Sequence, residues 1–167
     1  WLPDVPAWLE LFFACSELGA IAVAINTRFR SSEVGDILER SGAKVLILCP
    51  NFRGINFIEV LGQIDTHHLT KLESVVAYNE GDEFYVESIG DLPVCSYEAL
   101  LRSTEPASNR VSADSGCIIF TTSGTTKRPK LVLHAQKGIV HHAREVAVVL
   151  GLGEAKATLL QVIPFCG

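Results

Sequence analysis

A polar loop between two apolar runs is the feature that most constrains how this chain can fold. Residues 117–120 are apolar, residues 121–126 are all threonine, serine or glycine, and residues 131–133 are apolar again. Pro129 restricts the residue before it to extended backbone, so the chain leaves the loop already strand-like. The sequence therefore predicts a β-hairpin with strands at residues 116–121 and 130–134 and a long, hydroxyl-rich tip.

The residues of this tip have the chemistry that a phosphate group requires. Glycine lets the backbone approach an anion closely, hydroxyl groups donate hydrogen bonds, and successive N–H groups in a turn form an anion-binding concavity. Lys130 would add a compact positive charge beside the same oxygens. The candidate ligands of phosphate oxygens are Thr122, Ser123, Gly124, Thr125, Thr126 and Lys130.

Other phosphate-binding motifs do not match the sequence. The chain contains no Gly-x-x-x-x-Gly-Lys followed by serine or threonine, which argues against a Walker-type nucleotide hydrolase. Gly151 and Gly153 are followed by Lys156 where a dinucleotide-binding fingerprint needs its third glycine. The hairpin tip thus remains the one candidate site for a nucleotide.

The order Thr-Ser-Gly-Thr-Thr, two further residues, then Pro-Lys resembles the phosphate-binding signature of the adenylate-forming (AMP-binding) enzymes, the acyl-CoA synthetase and ligase superfamily. Residues 18–44 resemble the early helix–strand–helix–strand region of that family, and residues 164–167 resemble the opening of its next motif. Asn26 and Thr27 are more similar to the acyl-CoA synthetases than to the peptide-synthetase branch. The resemblance covers nearly the whole chain, but only part of the family's N-terminal domain.

This resemblance implies an ATP-dependent ligase. In the family the loop grips the β- and γ-phosphates of ATP while a carboxylate attacks the α-phosphorus. The products are an acyl-adenylate and pyrophosphate, and coenzyme A then takes the acyl group. Lys130 would offset the charge on the departing pyrophosphate, and Mg²⁺ is expected with ATP. The implied partners are a fatty or aromatic carboxylic acid, ATP, coenzyme A, the rest of the N-terminal domain and a C-terminal domain.

Two departures from the family pattern leave an alternative open. The family usually carries glycine where this chain has Lys127 and Leu131. A lysine at a position that requires a positive φ costs roughly 1–2 kcal/mol. The alternative function is therefore a non-catalytic nucleotide-binding or scaffold module with a degenerate phosphate loop.

Composition limits the class of protein further. Of the 167 residues, 48% are hydrophobic and 20% are charged, which is typical of a globular domain. The net charge of −5 gives no reason to expect nucleic acid as a partner. No apolar run reaches the length of a transmembrane segment. Five widely spaced cysteines without a Cys-x-x-Cys pair predict buried, reduced thiols and a cytoplasmic protein. The chain begins at Trp1 and lacks methionine, and we interpret it as an internal piece of a longer protein.

Hydrophobic periodicity and capping residues predict an α/β fold with a mostly parallel sheet flanked by helices. The resemblance implies that this fold is a partial N-terminal domain of an adenylate-forming enzyme. Residues 1–102 would form an early α/β half, residues 103–115 a connector, and residues 116–167 the phosphate-loop hairpin with a helix and a strand. Predicted helices lie at residues 5–18 (capped by Asp4), 31–41, 55–68, 97–102 and 136–150. Predicted strands lie at residues 20–25, 44–49, 74–78 and 158–164, besides the hairpin, and residues 79–93 form a surface loop or small hairpin.

The histidines do not have the spacing of a metal site. His67 and His68 are adjacent, as are His141 and His142, and neighbours on a helix point in different directions. The prediction is therefore no metal ligand, with His134 kept as a residue that could line the nucleotide site. The acidic residues between positions 82 and 91 are predicted to form a solvated surface and not an acid–base pair: Asp82, Glu83, Glu87 and Asp91.

Overall fold

The structure is a computed structural model that describes residues 1–79, 86–102, 111–122, 128–152 and 164–166. Five α-helices are present in these ranges: α1 (Pro6–Leu18), α2 (Ser31–Ser41), α3 (Phe57–Gly62), α4 (Tyr97–Leu101) and α5 (Gln136–Val149). A 3₁₀ helix spans Thr66–Leu69. The strands are β1 (Ala22–Val23), β2 (Val45–Leu48), β3 (Asn51–Phe52), β4 (Ile55–Asn56), β5 (Ser74–Ala77), β6 (Ser88–Ile89), β7 (Leu92–Ser96), β8 (Gly116–Thr122) and β9 (Lys130–Ala135).

The strands form two principal sheets. One has the order β1-β8-β9, with β1 parallel and β9 antiparallel to the central strand β8. The other has the order β2-β5-β7-β6, and its strands β2, β5 and β7 are parallel. Strands β3 and β4 make a separate small hairpin. This arrangement confirms the predicted α/β class. The expected mostly parallel pairing is not seen among the described strands, because three strand pairs are parallel and three are antiparallel.

Helix α2 forms as its sequence predicts. Val34, Ile37 and Leu38 recur on one face of the helix and are at most 2% exposed. The Glu33 carboxylate accepts a hydrogen bond from the Arg30 backbone N–H at 3.1 Å, which satisfies one donor at the helix start. Gly42 ends the helix with a φ of 64°. The packed face fixes α2 firmly against the core beneath β2 and β5.

Helix α1 begins one residue later than predicted, and Asp4 does not cap it. The residue that precedes the helix is Val5, and no side chain makes a capping hydrogen bond there. Asp4 lies one position too early for that role, and its Oδ1 instead accepts a hydrogen bond from the Phe165 N–H at 2.9 Å. Asp4 therefore ties the start of the chain to the segment Pro164–Cys166, which the structure places beside α1.

The single helix predicted over residues 55–68 is wrong. Arg53 and Gly54 have positive φ values of 51° and 76°, so the chain turns there and forms the β3–β4 hairpin. Asn56 then caps the short helix α3 by accepting from the Glu59 N–H, and Asp65 caps the 3₁₀ helix by accepting from the His67 N–H. These local hydrogen bonds divide an apolar run that one helix would otherwise have occupied.

Helix α5 has the predicted position, but its predicted inner face is largely exposed. Within the described part of the chain, none of the residues of α5 is buried. Of the four residues expected to point inward, Ile139 contacts a core cluster, whereas Ala143, Val146 and Leu150 are exposed. The periodic pattern predicts an apolar face of the helix but does not indicate which part of the protein packs against that face.

The remaining predictions fall partly outside the described residues. Residues 158–163 of the strand predicted over 158–164 and residues 103–110 of the connector predicted over 103–115 are not in the described ranges. The segment after residue 79 does contain a small hairpin, formed by β6 and β7. Ser96 caps α4 as predicted, because its Oγ accepts from the Ala99 N–H at 3.2 Å. None of the described helices has the length and apolarity that crossing a bilayer requires.

Candidate functional site

The β8–β9 hairpin places the two ends of the candidate phosphate loop side by side. Thr122 is the last residue of β8, Lys130 is the first of β9, and the two are paired in the antiparallel ladder. Both residues are exposed. The predicted hairpin is confirmed, and its strands are slightly longer than the sequence indicated. Because they are directly opposite each other, the side chains of Thr122 and Lys130 leave the same face of the hairpin at the base of the loop.

The tip of the loop lies outside the described residues. Ser123, Gly124, Thr125 and Thr126 are in this group, together with Lys127. Their role as phosphate ligands stays a prediction from sequence. The structure locates Thr122 and Lys130 of the six candidates, and it describes Arg128 and Pro129, which immediately precede Lys130.

The hairpin rests on a small hydrophobic cluster. Cys117 and Ile118 of β8 are 1% exposed and pack with Ala24 and Cys166. The Cys117 thiol donates to the His134 carbonyl oxygen at 3.4 Å across the two strands. Burial raises the pKa of the Cys117 thiol, so it is protonated and suited to packing more than to nucleophilic chemistry.

The segment Pro164–Cys166 packs close to this cluster. The Phe165 ring lies with its centroid 5.3 Å from that of Trp8 on α1, and Cys166 is buried. Trp8 in turn stacks on Phe12 at 5.9 Å. The three segments that carry the family resemblance therefore meet around one sheet, whose central strand is β8 of the hairpin.

Helix α2 contacts the C-terminal end of the loop, which the sequence did not predict. The Arg40 guanidinium donates from Nη2 to the carbonyl oxygen of Pro129 at 2.6 Å. Arg128 Nη1 lies 3.3 Å from Oδ1 of Asp36. The i,i+4 spacing of Asp36 and Arg40 was a visible signal of an ion pair on α2. Its connection to Arg128 joins residues far apart in the sequence and had no local signal.

Asp36 is the charged centre of this contact. Its side chain is 10% exposed, and its two oxygens face the guanidinium groups of Arg40 and Arg128. Arg40 Nε is 3.0 Å from Oδ2, but the N–H is not aligned with that oxygen, and within the described chain Oδ2 has no regular hydrogen bond. The contact is thus an ion pair held by charge. A cleft of about 330 Å³ opens beside it, lined by Ser32, Glu33, Asp36, His68, Arg128 and Pro129.

Leu131 replaces a family glycine without visible strain. It pairs with Thr121 in the hairpin ladder and is partly buried against the main core. Among the described residues, Arg53 is the one non-glycine residue with a positive φ. The backbone at position 131 therefore makes no demand that only glycine can meet.

His67 and His68 each lie beside a carboxylate, which the sequence did not predict. His68 Nδ1 lies 2.6 Å from Glu39 Oε2, and His67 Nδ1 lies 2.7 Å from Asp65 Oδ1. Glu39, His67 and His68 bring three possible ligand atoms within 4.8 Å of one another. Each imidazole already contacts a carboxylate, and the hydrogen bond from His67 lowers the pKa of Asp65.

His134 and the α5 histidines lie elsewhere. The His134 ring packs edge-to-face on Phe120 with centroids 5.6 Å apart. His141 and His142 are exposed on α5. A part of His134 in nucleotide binding stays a prediction, because the loop tip that would complete the site is outside the described residues.

All five cysteines lie in the described residues, and none of them forms a disulfide bond. Cys117 and Cys166 are buried, and Cys15 and Cys49 are partly buried, as the sequence predicted in general terms. Cys95 is exposed, which corrects the expectation that all the thiols are buried. The reason is its position on β7, where alternate side chains point away from the core.

Comparison with known proteins decides the family. The sequence profile of the family described as AMP-binding enzyme matches residues 1–166. The chain belongs to the AMP-binding enzyme family. The resemblance drawn from the loop and its flanking segments is thereby confirmed over the whole described fold.

Individual relatives within this family are acid–CoA ligases. The chain is 28% identical to feruloyl-CoA synthase of an Amycolatopsis species, over 95% of this chain and 27% of that protein. It is 28% identical to a long-chain-fatty-acid–CoA ligase of Thermus thermophilus, over 93% of this chain and 26% of that protein. The solved structure of the anthranilate CoA ligase AuaEII with anthranoyl-AMP matches with a TM-score of 0.63 and 30% identity, over 81% of this chain and 24% of that one. The chain spans less than a third of the length of the curated relatives it matches.

Proposed function

We propose that this chain is the phosphate-binding part of an ATP-dependent acid–thiol ligase that makes coenzyme A thioesters. The observation that carries the proposal is the hairpin, which pairs Thr122 with Lys130 at the base of a hydroxyl- and glycine-rich loop in a member of the AMP-binding family. The exposed hydroxyl and ammonium fit the oxygens of a polyphosphate, because both can donate hydrogen bonds to an anion from one edge of the sheet.

The proposed chemistry needs no nucleophile from this chain. An oxygen of the substrate carboxylate attacks the α-phosphorus of ATP, and the bond to the β-phosphate oxygen breaks, so pyrophosphate leaves with the electron pair. Negative charge gathers on that leaving group, and Lys130 with the loop donors lowers its energy. The coenzyme A thiol then displaces AMP from the acyl-adenylate and loses its proton. Mg²⁺ bound with ATP would supply further charge neutralisation.

The acid substrate is proposed to be fatty or aromatic. The names of the relatives include a feruloyl, a long-chain fatty and an anthranilate ligase, which span both classes. The remainder of the N-terminal domain and a C-terminal domain would complete the nucleotide and acid sites, so this chain alone should not turn over. We also propose a cytoplasmic location, which the five widely spaced cysteines without a Cys-x-x-Cys pair support.

The test is ATP–pyrophosphate exchange by the full-length protein with a panel of fatty and aromatic acids. We expect acid-dependent exchange, and we expect Lys130→Ala to lower kcat/KM for ATP by about 10²–10³-fold, the range seen when one transition-state donor is removed. Lys137→Ala is the matched control, because Lys137 is an exposed lysine at the start of α5 that pairs with Asp114. Acid-dependent exchange that survives Lys130→Ala unchanged would refute the role given to this lysine.

A non-catalytic module with a degenerate loop is the second candidate, and the lysine at position 127 is the observation that favours it. Leu131 gives it no support, because the backbone there is ordinary strand. Calorimetry of the full-length protein with ATP and Mg²⁺ separates the two functions. Absence of both binding and exchange, with affinity restored by Lys127→Gly, would favour the degenerate module.

A further inference from the structure

The end of the phosphate loop is attached to an element of the core that lies outside the hairpin. Helix α2 is fixed by Val34, Ile37 and Leu38, which are essentially inaccessible to solvent. Dense packing of this kind lets a helix move very little. A contact from α2 to the loop therefore anchors the loop to the main hydrophobic core. The side chains that make this contact belong to neither β8 nor β9.

Two contacts make this attachment, and they involve successive residues. Arg40 donates to the carbonyl oxygen of Pro129 at 2.6 Å, while Arg128 reaches Asp36 at 3.3 Å. The first contact holds the main chain and the second holds a side chain. The two contacted residues, Arg128 and Pro129, come just before Lys130 in the chain. Their positions therefore affect where the ammonium of Lys130 is placed.

Asp36 links the two contacts. Its carboxylate is nearly buried, and an ionised carboxylate there requires compensating positive charge. Arg40 supplies part of it through Nε at 3.0 Å while its Nη2 serves Pro129. The rigid guanidinium of Arg40 therefore contacts Asp36 through Nε and the loop through Nη2. A lysine, which has a single ammonium group, cannot reproduce this geometry.

We propose that Asp36, Arg40 and Arg128, here called the α2 clamp, are positioning residues for the ATP phosphates. This inference rests on the proposed function. The clamp fixes residues 128 and 129 before ATP arrives, so these two residues need no further ordering on binding and Lys130 is already positioned at the base of the hairpin. The clamp touches the loop from one side and does not itself contact the reacting atoms.

The test compares KM values in the full-length enzyme. We expect Asp36→Asn, which removes the nearly buried charge, to raise KM for ATP by about tenfold. Arg128→Gln, which removes an exposed partner, should raise it by about two- to fivefold. KM for the carboxylic acid should stay the same. A merely structural role predicts the opposite pattern: less folded enzyme, hence a lower apparent kcat, with both KM values unchanged.

Arg128→Gln protects the test against misfolding, because the Arg128 side chain is 75% exposed and contributes little to the core. The double variant Asp36→Asn/Arg128→Gln should be less harmful than the product of the two single effects, since the residues act through one contact. Arg40→Lys keeps a positive charge beside Asp36 but removes the guanidinium bond to Pro129, and we expect it to raise KM for ATP. Glu73→Gln is the matched control, because it breaks the exposed Lys44–Glu73 pair away from the loop.

Hydrogen exchange gives a readout that does not depend on activity. Asp36→Asn should speed amide exchange in peptides covering residues 128–131, while peptides from β2 and β5 keep their protection. If KM for ATP and this exchange are both unchanged in Asp36→Asn and Arg128→Gln, the clamp is refuted. If amide exchange changes in Asp36→Asn but the wild-type enzyme activates no acid, the clamp stabilises the loop and the proposed function is wrong. That result would overturn the role of the clamp in positioning ATP.

Discussion

Replacement of Leu131 by glycine tests whether this leucine damages the phosphate loop or supports it. The family usually has glycine at the position, so a glycine should improve ATP binding if the leucine is a defect. The structure indicates the contrary. Leu131 sits in a regular ladder position opposite Thr121 and packs partly against the main core. We therefore expect Leu131→Gly to loosen the hairpin and to leave ATP affinity unimproved.

The magnitude follows from burial and backbone entropy. Full burial of a leucine side chain contributes about 1.5–3 kcal/mol, and Leu131 is partly buried, so about 1.5 kcal/mol is lost with its side chain. Glycine within a strand costs roughly a further 1 kcal/mol through backbone entropy. The sum is about 2.5 kcal/mol. Leu133, two residues along the same strand, is 55% exposed, and the same substitution there should cost about 1.5 kcal/mol.

The assay is native-state hydrogen exchange on peptides that cover β8 and β9 in the full-length protein. A loss of about 2.5 kcal/mol should raise the exchange rate of protected hairpin amides by about 70-fold, and Leu133→Gly should raise it by about tenfold. KM for ATP is measured on the same preparations. The difference in exchange rate between the two glycine variants measures the contribution of side-chain burial, because both substitutions cause the same loss of strand propensity.

An opposite pattern would refute this reasoning. If Leu131→Gly lowered KM for ATP several-fold while hairpin exchange stayed at the wild-type rate, then the leucine would be a defect of the loop and its contact with the core would carry no stability. Equal exchange in the Leu131→Gly and Leu133→Gly variants would likewise show that the core contact is not formed.

Three further predictions concern the scaffold around the site. Iodoacetamide at pH 7.5 should alkylate exposed Cys95 well before Cys117, whose pKa burial raises, and peptide mass spectrometry reads the order. Burial, and then its hydrogen bond to Glu10, raises the pKa of Tyr97, so its stabilisation should be complete below about pH 10 and be lost as pH rises further. Urea denaturation of wild type and Tyr97→Phe from pH 8 to pH 11 measures this slope. Ser96→Ala should lower the free energy of unfolding by about 1 kcal/mol through loss of the α4 cap, with Ser96→Asp as a control that keeps an acceptor.

Each of these has a clear contrary result. Alkylation of Cys117 as early as Cys95 would show that the β8 cluster opens readily. The same pH slope in Tyr97→Phe and wild type would remove Tyr97 from the alkaline transition. An unchanged urea midpoint for Ser96→Ala would show that α4 is held by packing alone.

Local signals account for the elements that the sequence predicted well. Helix α2 has an apolar stripe and a glycine after its last turn, and both features act within a few residues. The hairpin has apolar runs on either side of a polar loop that contains Pro129. The family resemblance itself rests on contiguous residues. Such features are visible in sequence because the interactions behind them are short in range.

The failures have physical reasons as well. Residues 55–68 are apolar enough for one helix, but Asn56 and Asp65 offer the backbone local hydrogen bonds that divide it. The face of α5 was expected to be buried, and an amphipathic pattern does not show which part of a protein packs on it. The α2 clamp was missed because an ion pair between Asp36 and Arg128 depends on the tertiary fold.

The α2 clamp also bears on the lysine at position 127. A glycine there would give the free loop more backbone conformations to lose on binding ATP, whereas a lysine has fewer. Each residue fixed in advance saves roughly 1–2 kcal/mol of ordering entropy. Contacts from Asp36 and Arg40 to residues 128 and 129 act in the same direction, because they restrict the chain immediately after Lys127. In the proposed enzyme a clamp outside the hairpin and a less permissive residue inside the loop would both pre-order the phosphate site. In the proposed enzyme a lysine at position 127 would therefore favour ATP binding where its backbone has a negative φ, and would oppose it where a positive φ is required. KM for ATP in Lys127→Gly, in Asp36→Asn and in the double variant separates the two contributions.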